Sequence, residues 1–97
     1  MEDRFASLRN ATKAAVLDGT GETPSELRRA VATGEAPPNL ALLVEKIRTR
    51  AYTVTDADLE ALRAHYSDEQ LFELIVAATF GAASERLAAA RRALEEA

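Results

Sequence analysis

The stretch from Tyr66 to Ala97 contains no Pro and constrains the fold more than any other part of the chain. Its apolar positions, Leu71, Leu74, Ile75, Ala78, Thr79, Ala82, Leu87, Ala90 and Leu94, mostly recur every three or four residues and make one stripe along an α-helix. The predicted helix is far longer than the usual length of about 11 residues. Ser67 as N-cap and Gln70 three residues later form a capping box, with Tyr66 placed to staple onto Leu71. Asp68 and Glu69 put negative charge at the positive end of the helix dipole. Phe72, Val76 and Phe80 lie on an adjoining line, so the apolar surface is wider than one neighbour needs. This width predicts a central helix packed on two sides, with the other segments as its cover.

Four shorter helices are expected upstream. The first spans residues 3 to 18, with Phe5, Leu8, Ala11, Thr12, Ala15 and Val16 on its apolar face and Gly19 as a left-handed C-cap. Asp18 to Glu22, with two glycines, is expected to be a mobile loop. Thr23-Pro24-Ser25-Glu26 opens the second helix with Thr23 as cap. Leu27, Ala30 and Val31 face inward, and Gly34 ends it. The third helix follows Pro37-Pro38 and carries Leu40, Leu43, Val44, Ile47 and Ala51. Tyr52 to Val54 reads as a link. Thr55 then caps a short fourth helix in which Leu59 and Leu62 are buried and Val54 is stapled to Leu59. The expectation is one all-α domain, a compact bundle of about five helices, with 1–36 as a variable N-terminal part and 37–97 as its core.

Composition narrows the function classes. The chain has 97 residues and 47% apolar side chains, but 21 of its residues are Ala and aromatics are only 5%. Such a core gains little from each side chain, so tight helix packing and help from further subunits are expected. Net charge is −4, with +1 over residues 1–51 and −5 over 52–97. No concentrated basic surface is visible for a nucleic-acid backbone. A DNA-reading helix-turn-helix over residues 55 to 80 would lead with Asp68 and Glu69, the wrong sign for phosphates. The absence of Cys removes disulfide and thiolate chemistry and fits a cytoplasmic location. No apolar run reaches the roughly 20 residues needed to cross a membrane.

Few residues suggest chemistry. His65 is the only His and stands near Tyr66, Asp68 and Glu69. It has the acid–base range of imidazole but no accompanying nucleophile. A single His with scattered carboxylates has no metal-ligand spacing, so neither metal nor cofactor is expected. Asp56, Asp58 and Glu60 lack the Gly and distal Glu of a calcium loop and suit the first turn of a capped helix. Tyr52 has a phenol able to donate to a ligand, and Arg86, with Arg48 and Arg50, has the guanidinium to take a carboxylate. Gly81 costs about 1 kcal/mol against Ala in a helix. Close approach of another helix explains it most simply; a helix break or a ligand-facing backbone are the alternatives. Phe72, Val76, Phe80, Gly81 and Leu87 are the candidate packing and oligomer surface.

Residues from about Leu40 to Ala93 resemble the C-terminal half of the alkylhydroperoxidase D-like, or carboxymuconolactone decarboxylase, family. The resemblance rests on Ala51 through Arg63, on Tyr66 through Leu74, and on Ala77 to Gly81 leading to Arg86-Leu87. It implies an all-helical unit that builds homo-oligomers by helix packing. Redox members of that family carry a CxxC motif followed by His; with no Cys here, thiol peroxidase activity is excluded. The expected function is a non-redox helical protein, either an oligomeric scaffold or the companion subunit of an enzyme. The alternative is a small-molecule binder or non-thiol decarboxylase-like enzyme with a pocket near Tyr52, His65 and Arg86.

Overall fold

The long helix forms without a break. In the computed structural model, which describes residues 6–96, α5 runs Asp68–Glu96 for 29 residues. At 1.5 Å per residue it is about 43 Å long, against a longest molecular dimension of 49 Å. Before it come α1 (Ala6–Lys13), which continues into a π-helical turn at Ala14–Asp18, then α2 (Ser25–Thr33), α3 (Ala41–Arg50), a 3₁₀ turn at Ala51–Thr53, and α4 (Asp56–Leu62). The protein is all-α among the described residues, as the periodicity predicts. No described helix is long and apolar enough to cross a membrane.

The core is a three-helix contact. Leu71, Leu74, Ala77, Ala78 and Ala82 of α5 are buried against α2, which contributes Val31 and Ala32, and against α3 with Leu40 just before it, which contributes Leu43, Val44 and Ile47. Leu17 and Leu62 close the cluster, and Val54, Leu59 and Tyr66 pack on its edge. Because α2 packs on α5 more extensively than α3 does, the core draws on both 1–36 and 37–97. Gly81 lies where α2 crosses. A Cβ on it would sit 2.7 Å from the Ala32 Cα and closer still to the Ala32 carbonyl. The helix does not break there, so close approach is the reason for this glycine.

Helix ends formed by local signals match the sequence. Ser67 and Gln70 make the reciprocal capping box, with Ser67 N–H donating to Gln70 Oε1 at 2.9 Å and Gln70 N–H to Ser67 Oγ at 3.1 Å. Thr55 and Asp58 make a second one on α4. Gly34 ends α2 in the left-handed region at φ 87°, and the Glu35 N–H returns to the Ala30 carbonyl at 2.8 Å, a Schellman closure.

Other expectations need correction. Gly19 is extended (φ −67°) and is no left-handed cap; a Cβ there would meet the Ala15 backbone, so proximity again selects glycine. Thr23 does not cap α2: Pro24 holds the cap position, and the buried Thr23 hydroxyl finds no partner. The loop after α1 is tied down. Both Glu73 carboxylate oxygens accept the Glu22 N–H (2.9 and 2.8 Å), and Gln70 Nε2 donates to the Glu22 carbonyl. Along the first helix Leu8, Ala11, Thr12 and Ala15 are exposed and Leu17 is the buried residue, since the π turn adds residues per turn and shifts the register. Phe5 lies outside the described residues. Ala51 is exposed, and Leu59 is only partly buried.

The largest correction concerns α5. Its apolar stripe is covered only as far as Ala82; Leu87, Ala90 and Leu94 are exposed, and Thr79 faces outward. Phe72 is 67% exposed, while Val76 and Phe80 are partly buried. Within one chain the helix is packed mainly on one side, not two.

Two substitutions on one helix test this division. Leu74→Ala should lower unfolding stability by about 2–5 kcal/mol as a core truncation. Phe72→Ala should stay within about 0.5 kcal/mol as a surface change. At the crossing, Gly81→Ala gains about 1 kcal/mol of helix propensity but must displace the α2 backbone, so a net loss is expected, on the scale of about 1–3 kcal/mol for overpacking. Urea denaturation of the three variants gives these values; a Gly81→Ala protein as stable as the parent would show that α2 does not approach α5 this closely.

Candidate functional site

Three arginines stand at three successive helix ends. The last carbonyls of a helix have no partner within it and carry the negative end of its dipole, so a guanidinium there is doubly favoured. Arg28, on α2, is 4% exposed and donates through Nη1 to the Val16 carbonyl at 2.9 Å and through Nη2 to the Gly19 carbonyl, closing the end of the first helix. Arg48, on α3, donates through Nη1 to the Ala32 carbonyl at the end of α2, and its Nη2 pairs with Glu85 of α5. Arg86, on α5, donates to the Arg48 carbonyl near the end of α3. Hydrogen bonding to Arg48 is the main reason that the Glu85 carboxyl sits below its ordinary pKa, with the charges of Arg48 and Arg86 adding to it.

A second polar cluster fastens α4. Asp58 accepts from Lys46 Nζ at 2.7 Å and from the Thr55 N–H at 2.9 Å, and the Lys46 bond is the main cause of its lowered pKa. The carboxylate run Asp56, Asp58, Glu60 is therefore structural: Asp58 is engaged inward and Glu60 pairs with Arg63. Among the described residues no group of His, Asp or Glu is arranged to hold a metal ion.

The three residues singled out as a pocket do not join through any hydrogen bond or ion pair. Tyr52 is 85% exposed in the 3₁₀ turn. His65 is exposed in the turn after α4, its N–H bonded to the Leu62 carbonyl. Arg86 is occupied by the Arg48 carbonyl rather than by a carboxylate, which Arg48 takes instead. These three residues do not line the clefts beside α5 and the first helix. One cleft, about 380 Å³, opens between α1 and the distal half of α5 and is lined by Phe80 and Leu87 together with Arg9, Lys13 and Arg91.

The remaining candidates, Phe72, Val76, Phe80, Gly81 and Leu87, divide by face. Gly81 belongs to the buried contact with α2; the other four line clefts toward the first helix, Phe72 and Val76 with Ala15 and Val16, Phe80 and Leu87 with Lys13, and Leu94 lies beyond them at 77% exposure. Sequence reasoning missed Arg28. It shares a helical face with Val31 and Ala32, and an Arg in such a register has to find acceptors once buried.

Comparison with family models, curated proteins and solved structures finds no match to this chain.

The ion pairs give a pH dependence. Asp58 has a folded-state pKa below its unfolded value. Its stabilising contribution is therefore present above the ordinary carboxylate range near pH 4 and is lost as pH falls through the lower folded value. Lys46→Met removes the main cause of the shift. The variant should be less stable near neutrality and should lose less stability than the parent between about pH 5 and pH 2. Melting temperature against pH for the two proteins measures the difference; parallel acid limbs would show that the pair contributes nothing.

Proposed function

We propose that this protein acts by helix-mediated association, as a non-catalytic oligomeric scaffold or as the companion subunit of an enzyme, with the outer face of α5 as the docking surface. The observation that carries the reading is that Phe72, Leu87 and Leu94 are large apolar residues exposed on one helix, 67%, 46% and 77% respectively. Exposed apolar residues scattered singly are ordinary, but a row on one face marks an interaction surface. The absence of Cys and the dispersed positions of Tyr52, His65 and Arg86 also favour association over catalysis. The likeness of residues 40–93 to alkylhydroperoxidase D-like chains enters as a proposed kinship. It is supported by the order of a capped short helix and a capped long one.

Native mass spectrometry on protein isolated from its own cells tests the reading. A mass above the 10.5 kDa of one chain is expected, as a homo-oligomer or as a mixed complex. Leu87→Glu with Leu94→Glu should return the chain to monomer while its far-UV circular dichroism and melting temperature stay close to the parent's. A monomer in the native preparation would overturn the proposal.

A further inference from the structure

Val76, Phe80, Ala83, Leu87, Ala90 and Leu94 are spaced four, three, four, three and four apart, the a/d spacing of a coiled-coil seam. At about 100° per residue these six fall within an arc of about 80°, centred about 170° from the arc of Leu71, Leu74, Ala77, Ala78, Gly81 and Ala82. The seam is thus diametrically opposite the face that packs on α2 and α3, and α1 stands across a cleft from its Phe80, Ala83 and Leu87. From Phe80 to Leu94 it extends about 21 Å. Ala83, Leu87, Ala90 and Leu94 are all exposed, and Phe80 is partly so.

We propose that this seam pairs with the same seam of a second copy, antiparallel, with Leu87 against Ala90 of the other chain and Leu94 against Ala83. The proposal rests on the association reading above and names its partner and geometry. Two features of the seam argue for it. The first is size. Large residues occupy one class of position (Phe80, Leu87, Leu94); the other holds Val76 and then the alanines Ala83 and Ala90. In the antiparallel register the two classes face each other in the layers from Ala83 to Leu94, so large meets small there: Leu87 with Ala90 and Leu94 with Ala83. In a parallel pair Leu would meet Leu and Ala would meet Ala, leaving alternate layers crowded and empty. The second is charge. Arg86 and Arg91 flank the seam on opposite sides. A parallel pair would set Arg86 of each chain beside Arg91 of the other, a like-charge contact. In the antiparallel register Arg86 faces Ala93 and Arg91 faces Ser84. Self-complementarity of this kind selects a second copy rather than an unrelated helix.

The absence of Cys allows a direct test. Two single variants, Leu87→Cys and Ala90→Cys, both at exposed positions, are oxidised mildly, separately and mixed. The expected result is that the mixture yields a disulfide dimer faster than either variant alone, and peptide mapping finds Cys at 87 joined to Cys at 90. Light scattering should show concentration-dependent dimerisation of the parent, with the dissociation constant raised at least about tenfold by Leu87→Glu. Fast symmetric joining of Leu87→Cys to itself, with no advantage in the mixture, would establish a parallel pair and overturn the register while leaving association by this face intact. A single-chain mass at all concentrations, alongside a mixed complex in the native preparation, would overturn self-pairing but not docking. A single-chain mass in both would remove the two readings together.

Discussion

The fold depends on how closely the end of α2 approaches α5 at Gly81. With Ala32 backbone atoms where a Cβ would stand, the helices meet backbone to backbone, and the small residues Ala77, Ala78 and Ala82 line the rest of the contact. Close approach brings the last carbonyls of α2 under cover, where an unpaired acceptor costs about 1–3 kcal/mol. Arg48 donates to the Ala32 carbonyl, and its other nitrogen is held by Glu85, one turn beyond Gly81. Glycine, arginine and glutamate therefore act as a unit: the glycine allows the contact, and the ion pair satisfies the polar groups that the contact encloses.

The same solution recurs along the chain. Arg28 closes the first helix from α2, Arg48 closes α2 from α3, and Arg86 reaches the end of α3 from α5. Each guanidinium stitches a helix end to a later element, so the sequence of caps is also the sequence of tertiary contacts. In a core with so much Ala, few side chains contribute the roughly 1.5–3 kcal/mol of a fully buried Leu or Phe. Hydrogen bonds from a charged donor, about 1.5–3 kcal/mol each, are comparable in size and add direction, which Ala packing lacks.

What could be read from the sequence follows from distance along the chain. The caps at Thr55 and Ser67 and the stop at Gly34 involve residues within five positions of each other, and all three form as predicted. The roles of Gly19, Thr23 and Arg28 are set by partners on other elements, so local grammar assigned Gly19 and Thr23 caps they do not make and left Arg28 unremarked. Periodicity found the inner face of α5 but not where its cover ends. The 9 residues of α2 and 10 of α3 are only about 14–15 Å long and cannot shield a helix of about 43 Å. At the candidate site, residue type singled out Tyr52, His65 and Arg86, but type alone does not bring side chains together. Arg86 stays exposed and donates to a carbonyl, not to a carboxylate.

The exposed half of α5 separates what folding needs from what it does not. Residues 83–96 are exposed throughout and consist of Ala, Arg, Glu and Leu with a single Ser, all but the Ser strong helix formers. Extension from a helix already nucleated and anchored at residues 71–82 adds one hydrogen bond per residue fixed, and Glu85 and Arg86 tie the start of this segment to Arg48. Ala, Glu and Arg alone would achieve that. Leu87 and Leu94, spaced one heptad apart and in line with Phe80, are not required for the helix and take no part in the buried cluster of the monomer. Under the association proposed above, a contact outside the chain accounts for them.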